Sequence, residues 1–328
     1  MPKEYNKIVT DSLNSISYRN DVSYKDLVLA FKKTLLDNVR LMGSANIVDI
    51  RNGNGNAFFF PAIENIFDRV LVEENVYGTV TLSRKNEEKG FIYGQQVFNK
   101  GNVLVVYDGN TYLLIELIIR NILANNAVIF NYQGYNSGLN TLIIKFMQGV
   151  LEKSGLNPLQ VQEYISDDLE ILKCTKSFDL VIASGDHALQ RDVLIHSHAP
   201  VITLGYGNYD IYLESDKNLD FVDEIIGRGF NCNLYVLDGI KIDREVNYVS
   251  DINEAIAEIN LNGSLYAATI FTDNLNHASS FIEHVKCRKV TVNSSPLLDD
   301  ISYIKQSDLY IEKTIIYPFD LQKRKFLD

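Results

Sequence analysis

The chain has 328 residues, 46% of them hydrophobic, which is enough for a large core in one or two domains. Its 31 lysines and arginines are outnumbered by 42 aspartates and glutamates, so the formal net charge is −11. Such an acidic chain supplies no basic footprint for a phosphate backbone, and its aromatic content of 11% argues against disorder. We therefore expect an ordered protein with no nucleic-acid partner.

Three features of the sequence bear on where the protein resides. Residues 1–7 contain no apolar segment of the kind that a secretory signal needs. Residues 111–130, the most apolar stretch, include charged and amide side chains, whereas a membrane span needs about 20 mostly apolar residues. The three cysteines, Cys174, Cys232 and Cys287, match neither a disulfide framework nor a zinc site. The sequence predicts a cytoplasmic protein with no membrane partner and no metal.

The first 77 residues are predicted to form an N-terminal helical segment. Residues 1–22 are polar and predict no element. Ser23 opens the sequence Ser-Tyr-Lys-Asp, a capping-box pattern, and apolar residues follow it at helical spacing as far as Gly43, which is a typical helix stop. A second helix is predicted over residues 63–73.

A regular alternation of strands and helices begins near residue 102. A predicted hairpin over residues 78–98 precedes it, and short β-branched runs then alternate with apolar helices. This alternation is typical of crossover units and a parallel sheet. We predict an α/β fold with a Rossmann-like, doubly wound parallel sheet in a domain over residues 78–204, hairpin included. The predicted strands of this domain lie at residues 103–107, 127–130, 161–165, 180–183 and 201–204.

A second, smaller α/β domain is predicted over residues 205–300, because strands and helices alternate there again. A C-terminal tail, residues 301–328, follows it. Within the tail, residues 309–317 alternate apolar and polar side chains with the period of a strand. A single strand at a chain end has unpaired backbone groups along both edges, so we expect it to pair with another strand.

Six segments carry a resemblance to a known family. They lie at residues 126–130, 149–162, 178–185, 200–220, 252–256 and 288–296. In this order they resemble the aldehyde dehydrogenase superfamily, and its γ-glutamyl phosphate reductases most of all, in a shortened and divergent form. The likeness covers residues 90–296, roughly, and it implies that the second α/β domain is of the catalytic type.

The resemblance implies an NAD(P)-dependent oxidoreductase that acts on an aldehyde or an acyl phosphate through a cysteine nucleophile. The matching cysteine is Cys232, whose backbone amide would form part of an oxyanion hole. Asn110 is the candidate for polarising the substrate carbonyl. A reactive thiol is expected to be accessible and to have electropositive surroundings. The alternative is that Cys232 is a structural cysteine that packs as a small hydrophobic residue.

The resemblance assigns the cofactor NAD or NADP to Asn131, Ser184 and Gly185. The family has a lysine or an arginine where this chain has Asn131, which offers no charge. Asp186 adds a negative charge beside the position expected for the pyrophosphate. We therefore expect the binding of NAD or NADP to be weak or lost.

A deletion raises a second hypothesis for the function. Only 20 positions separate Cys232 from Ile252, where the family has a much longer insert that holds the nicotinamide ribose. The alternative to an oxidoreductase is therefore a catalytically silent, shortened homologue that acts as a binding or assembly protein.

The resemblance also bears on the tail, because the family's C-terminal strand crosses to another subunit and extends its sheet. The same exchange here would make a homodimer with two-fold symmetry. The alternative is that the strand at residues 309–317 folds back on the hairpin of its own chain, over residues 78–98.

Overall fold

A computed structural model of the chain describes every residue except 1–2, 17–22, 53–59, 61, 73–77, 79, 87–90, 133–136, 166–170, 173–176, 186, 206–208, 228–231, 245, 264–266, 288, 297–303 and 319–328. The chain forms two compact units. Unit 1 comprises residues 1–183, 192–202 and 304–328, and unit 2 comprises residues 184–191 and 203–303. The domain boundaries predicted above stay predictions.

Four helices come first in unit 1, and their bounds are α1 (Lys3–Ser15), α2 (Tyr24–Asp37), α3 (Val39–Arg51) and α4 (Ala62–Val72). The predicted cap is confirmed, because the Ser23 hydroxyl oxygen accepts a hydrogen bond from the backbone N–H of Asp26 at 3.2 Å. The predicted helix stop at Gly43 is wrong, since Gly43 lies inside α3. The break falls at Asn38, whose side-chain amide donates to the carbonyl of Thr34 and so competes with the helical backbone bonds.

The predicted hairpin and the tail form one three-stranded antiparallel sheet, which we call the hairpin sheet. Its strands are β1 (Val80–Asn86), β2 (Phe91–Asn99) and β13 (Tyr310–Pro318), in the order β1-β2-β13. The register of β13 on β2 runs from Tyr310 opposite Asn99 to Pro318 opposite Phe91. The strand therefore pairs with the hairpin of its own chain, which is the alternative stated above, and not as an exchanged strand.

The predicted five-stranded Rossmann-like sheet is confirmed, and we call it sheet 1. Its strands are β3 (Asn102–Tyr107), β4 (Ala127–Tyr132), β5 (Val161–Ile165), β6 (Leu180–Gly185) and β7 (Val201–Gly205), in the order β5-β4-β3-β6-β7. Its crossover helices are α5 (Thr111–Leu123), α6 (Gly138–Lys153) and α7 (His187–His196). Every residue of β3 is buried, as expected for a parallel strand that helices cover on both faces.

A second five-stranded parallel sheet, sheet 2, lies in unit 2. Its strands are β8 (Tyr209–Leu213), β9 (Cys232–Leu237), β10 (Asn247–Val249), β11 (Ala267–Phe271) and β12 (Lys289–Val292), in the order β10-β9-β8-β11-β12. Its helices are α8 (Leu219–Gly227), α9 (Ile252–Asn262) and α10 (Leu275–His284). Apolar clusters cover both faces, one with Tyr212 and Phe281 and the other with Ile211 and Val222. None of the described helices has the length and apolar character to cross a membrane.

Candidate functional site

The predicted nucleophile lies at the amino edge of sheet 2. Cys232 is the first residue of β9, carries a free thiol and is half-buried. Burial and, second, the carboxylate of Asp210 raise the pKa of this thiol to about 11. At neutral pH the thiol is therefore protonated, and a nucleophilic role requires a group that removes its proton.

Asp210 dominates the electrostatics of this edge. It is fully buried in β8, and its Oδ1 accepts a hydrogen bond of 2.8 Å from the side-chain amide of Asn233. Gly263 leaves room for it, because a Cβ atom at that position would lie 2.6 Å from Asp210 Oδ2. Burial and Asp210 also raise the pKa of Cys287, to about 12. The side chain that bears on both thiols is thus anionic, unlike the electropositive surroundings expected of a reactive cysteine.

Asn110, the candidate for polarising a substrate carbonyl, is the N-cap of α5 in unit 1. Its side-chain oxygen accepts hydrogen bonds from the backbone N–H groups of Tyr112 and Leu113, at 3.0 and 3.2 Å. The preceding Gly109 has φ +93°, and a Cβ atom there would lie 2.2 Å from the ring of Tyr132. This turn therefore needs a glycine. Because the Asn110 side-chain oxygen caps α5, the side-chain nitrogen is the group that could bind a ligand.

The residues predicted to hold the cofactor are all buried. The side-chain amide of Asn131 donates a 3.0 Å hydrogen bond to the carbonyl of Tyr164 in β5 and so belongs to the pairing of two strands. Ser184 is 2% exposed, and a Cβ atom at Gly185 would lie 2.5 Å from a methyl group of Leu189. Asp186 lies outside the described residues. The Asn131 and Ser184 side chains thus lie inside sheet 1, and the roles of Asn131, Ser184 and Gly185 toward NAD or NADP stay predictions.

An internal carboxylate occupies the start of α6, at the carboxyl edge of sheet 1. Asp49 of α3 accepts hydrogen bonds from the N–H groups of Gly138 and Leu139, both at 2.9 Å, and from the Ser137 hydroxyl at 3.0 Å. Helix N-termini at this edge are the usual place for a ligand phosphate in doubly wound sheets. The sequence analysis missed Asp49, because 88 residues or more separate it from these partners.

A second polar cluster, also missed from sequence, lies at the carboxyl edge of sheet 2. Glu214 follows β8, Thr272 follows β11, and His277 stands in the first turn of α10. Glu214 Oε1 lies 2.7 Å from His277 Nδ1, and the Thr272 hydroxyl donates a hydrogen bond to Glu214 Oε2. All three line an open groove with a volume of about 970 Å³. The sequence signal that could have predicted this cluster is that Glu214 and Thr272 come directly after predicted strands of an α/β unit, where ligands usually bind.

Among the residues that the structure describes, no three histidine, cysteine or acidic side chains are placed to hold a metal ion. Neither the groove nor the Cys232 edge therefore has a metal-binding geometry within that part of the chain.

Comparison with known proteins places the chain beside one family. No protein-family model matches the chain. It is 21% identical to the gamma-glutamyl phosphate reductase of Clostridium botulinum (strain Alaska E43 / Type E3) over 84% of this chain and 80% of the relative. It is also 21% identical to that of Dictyoglomus thermophilum, over 90% and 88% of the two chains. The resemblance read from the sequence is thus confirmed.

Solved structures show the same fold. The gamma-glutamyl phosphate reductase of Thermotoga maritima matches with a TM-score of 0.66 and 16% identity, over 96% of this chain and 97% of that one. A propionaldehyde dehydrogenase from Clostridium phytofermentans matches with a TM-score of 0.73 and 10% identity, over 97% and 98% of the chains. The predicted α/β, aldehyde dehydrogenase-like fold is confirmed.

Proposed function

We propose that this chain is an oxidoreductase of the aldehyde dehydrogenase type that acts on an aldehyde or an acyl phosphate through Cys232. The observation that carries the proposal is the position of this cysteine. Cys232 is free, half-buried and at the start of a strand of sheet 2, in the segment that resembles the family's nucleophile region. The names of the relatives in sequence and the fold of the structural neighbours support the same chemistry.

The step assigned to Cys232 is attack on a carbonyl carbon. With an acyl phosphate, a bond forms between sulfur and the acyl carbon, the bond from that carbon to the phosphate oxygen breaks, and phosphate leaves with the electron pair. The thiol proton ends on the released phosphate. The side-chain nitrogen of Asn110 stays the proposed donor for polarising a carbonyl. Because burial and, second, Asp210 raise the thiol pKa to about 11, we expect acylation to accelerate as the pH rises.

The proposed cofactor is NAD or NADP, and we expect its binding to be weak. Asn131 offers no charge and already bonds to Tyr164, so it cannot replace a basic residue. A thermal-shift titration tests this expectation, since a ligand at 100 times its dissociation constant stabilises a protein by about 2.7 kcal/mol. Replacing Asn131 with lysine would put a charge into a buried strand, so the unmodified protein is the better subject.

Trapping the acyl-enzyme tests the cysteine without the cofactor. The protein is incubated with acetyl phosphate over a range of pH from 7 to 10, and the acetylated peptide is located by mass spectrometry. We expect acetylation on Cys232 and its loss in Cys232→Ser, while Cys287→Ser, the matched control at the other described thiol, keeps it. Acetylation spread equally over Cys232 and Cys287 would contradict the proposal.

A second candidate function is a catalytically silent homologue that serves as a binding or assembly protein. Two observations favour it: the hydrogen bond that engages Asn131 inside sheet 1, and the anionic Asp210 that bears on the Cys232 thiol. The same two experiments separate the candidates. No acetylation of Cys232 at any pH, together with no stabilisation by millimolar NAD or NADP, would favour the silent homologue.

A homodimer in the cytoplasm completes the proposal. β13 is an edge strand of the hairpin sheet, and its Ile311 and Ile316 are 46% and 53% exposed. An exposed apolar edge strand is a ready partner for another strand. Light scattering at tens of micromolar should show a dimer, which the double variant Ile311→Lys/Ile316→Lys disrupts and the exposed control Thr314→Lys does not. A monomeric unmodified protein would contradict this part.

A further inference from the structure

The groove at the carboxyl edge of sheet 2 is separate from the Cys232 edge. Cys232 begins β9, whereas Leu237, the last residue of that strand, lines the groove. Five steps along a strand at about 3.3 Å each put roughly 16 Å between the two positions. A ligand in the groove is therefore distinct from a substrate on the thiol, and the inference below does not depend on the proposed oxidoreductase.

The lining of the groove is acidic. The carboxylates that line it belong to Glu214, Asp251 and Asp273. Within the described part of the chain no lysine or arginine lines it, and Lys217, outside the lining, forms an ion pair of 2.6 Å with Asp273. Its volume of about 970 Å³ falls in the range of small-molecule sites.

Asp251 is the carboxylate with acceptor capacity to spare. Its Oδ1 accepts the N–H groups of Asn253 and Glu254 as the N-cap of α9, at 2.7 and 2.9 Å, and its Oδ2 makes no hydrogen bond to any described residue. Glu214, in contrast, has one oxygen on His277 and the other on Thr272. An incoming donor would therefore bond first to Asp251 Oδ2.

A second observation at the same place is the hydroxyl of Tyr212. Tyr212 lines the groove and is fully buried. Its hydroxyl interacts with the Glu214 carboxylate but makes no hydrogen bond of ordinary length to a described residue. Its ring stacks on Phe281, with centroids 6.3 Å apart, which holds it in place. Burial raises the pKa of Tyr212 most, followed by the charge of Glu214 and the hydrogen-bonding interaction with it, and then by the charge of Asp251. The hydroxyl therefore stays neutral, and its oxygen can accept a hydrogen bond from an N–H group. A buried hydroxyl without an ordinary hydrogen bond is unusual and calls for an explanation.

We propose that the groove binds a small organic cation, an alkylammonium or guanidinium compound, through Asp251 Oδ2 and the Tyr212 hydroxyl. A cation matches the acidic lining, and an ammonium group has several N–H donors for the two acceptors. A metal ion is the poorer match, because no three metal-ligating side chains of the described residues come together.

Calorimetric titration with putrescine, at low ionic strength, tests the proposal, and 1,4-butanediol serves as the neutral ligand of the same length. The variant Asp251→Asn removes the charge and keeps an acceptor for the α9 cap, since asparagine caps as well as aspartate does. Asp243→Asn, at an exposed position outside the groove, removes the same charge and controls for the general acidity of the chain.

We expect putrescine to bind and the diol not to, and Asp251→Asn to weaken binding about tenfold relative to Asp243→Asn, as loss of a charged hydrogen bond does. Tyr212→Phe, which keeps the packing against Phe281, should weaken binding severalfold. Equal binding of diamine and diol overturns the proposal. So does equal binding by Asp251→Asn and Asp243→Asn, because that result would place the diamine elsewhere on the surface.

Discussion

The carboxyl edges of the two parallel sheets differ in how much of their polar chemistry is already used inside the protein. At sheet 1, the Asn131 amide bonds to Tyr164, the Asn140 amide bonds to the carbonyl of Gly109, and Asp49 caps α6. At sheet 2, one oxygen of Asp251 and the Tyr212 hydroxyl make no hydrogen bond of ordinary length to a described residue, and both residues line an open groove. The first edge is thus largely engaged by its own side chains, with the Asn110 nitrogen left for a ligand, whereas the second edge offers two acceptor groups on one groove.

The difference shows that sheet topology alone does not locate a ligand. Parallel α/β sheets bind ligands at the carboxyl ends of their strands, so topology predicts a ligand site at the carboxyl edge of sheet 1 and of sheet 2 equally. What separates them is a side chain from outside the sheet: Asp49 of α3 takes the α6 amides that an external anion would otherwise use.

The largest effect is expected from breaking the buried ion pairs of Glu116, one within α5 and one between α5 and α4. Glu116 pairs with the fully buried Arg120 at 2.8 Å and with Arg69 at 2.6 Å. Glu116→Ala leaves the Arg120 charge without its carboxylate and should lower the free energy of unfolding by about 3–5 kcal/mol, measured by urea denaturation. Asp68→Ala breaks the exposed pair with Lys32 and should cost under about 1 kcal/mol. Similar losses in both variants would contradict this account.

The next effect comes from freeing the α6 amides at the sheet 1 edge. Asp49→Ala removes the acceptor of two α6 amides and of the Ser137 hydroxyl, and we expect it to cost about 2 kcal/mol, at the upper end for a helix cap. Urea denaturation measures it. A loss of a few tenths would mean that water replaces the carboxylate and that the edge is not closed by Asp49.

Local sequence patterns predicted most of the fold, and non-local contacts account for the misses. The strands of sheet 1 and the cap at Ser23 were evident, because β-branched runs and capping side chains act within a few residues. The helix α1 was missed because its sequence is mostly polar, with Ile8, Val9 and Leu13 as its only aliphatic residues, and because contacts such as the bond from Ser12 to Asn102 span 90 positions. β10 was missed because a strand of three residues is too short to show an alternation of apolar and polar side chains.

The sequence predicted the kind of site, a cysteine-based one in an aldehyde dehydrogenase-like fold, but not the hydrogen bonds or the groove that the structure shows. Asn131 was read as a lost cofactor contact, and its bond to Tyr164 depends on the register of β4 on β5, which no local pattern gives. The groove was missed for a similar reason: 58 residues separate Glu214 from Thr272, and 63 separate it from His277.

The third effect is on the reactivity of Cys232 at the amino edge of sheet 2. Burial and, second, Asp210 raise the pKa of this thiol. Asp210→Asn removes the second cause and should therefore lower that pKa and increase the thiolate fraction at pH 8. The thiolate fraction should rise about tenfold for each unit by which the pKa falls. Alkylation by iodoacetamide should quicken by about threefold per unit, because a thiolate of lower pKa is a weaker nucleophile. The exposed Asp216→Asn is the control, and mass spectrometry assigns the adduct to Cys232 or Cys287. An unchanged rate in Asp210→Asn would show that burial alone governs the thiol.

The smallest expected effect is a difference in the free energy of unfolding between two matched variants, Asp251→Asn at the sheet 2 edge and Asp49→Asn at the sheet 1 edge. Asparagine keeps one acceptor oxygen, and Asp251 uses only Oδ1, so Asp251→Asn should change the free energy of unfolding by no more than a few tenths of a kcal/mol. Asp49 uses both oxygens, so Asp49→Asn turns an N–H₂ group toward an amide donor and should cost about 1 kcal/mol or more. Urea denaturation of the two variants side by side measures the difference. Equal losses would mean that both carboxylates are fully used, and the groove would then lack the acceptor that its proposed cation needs.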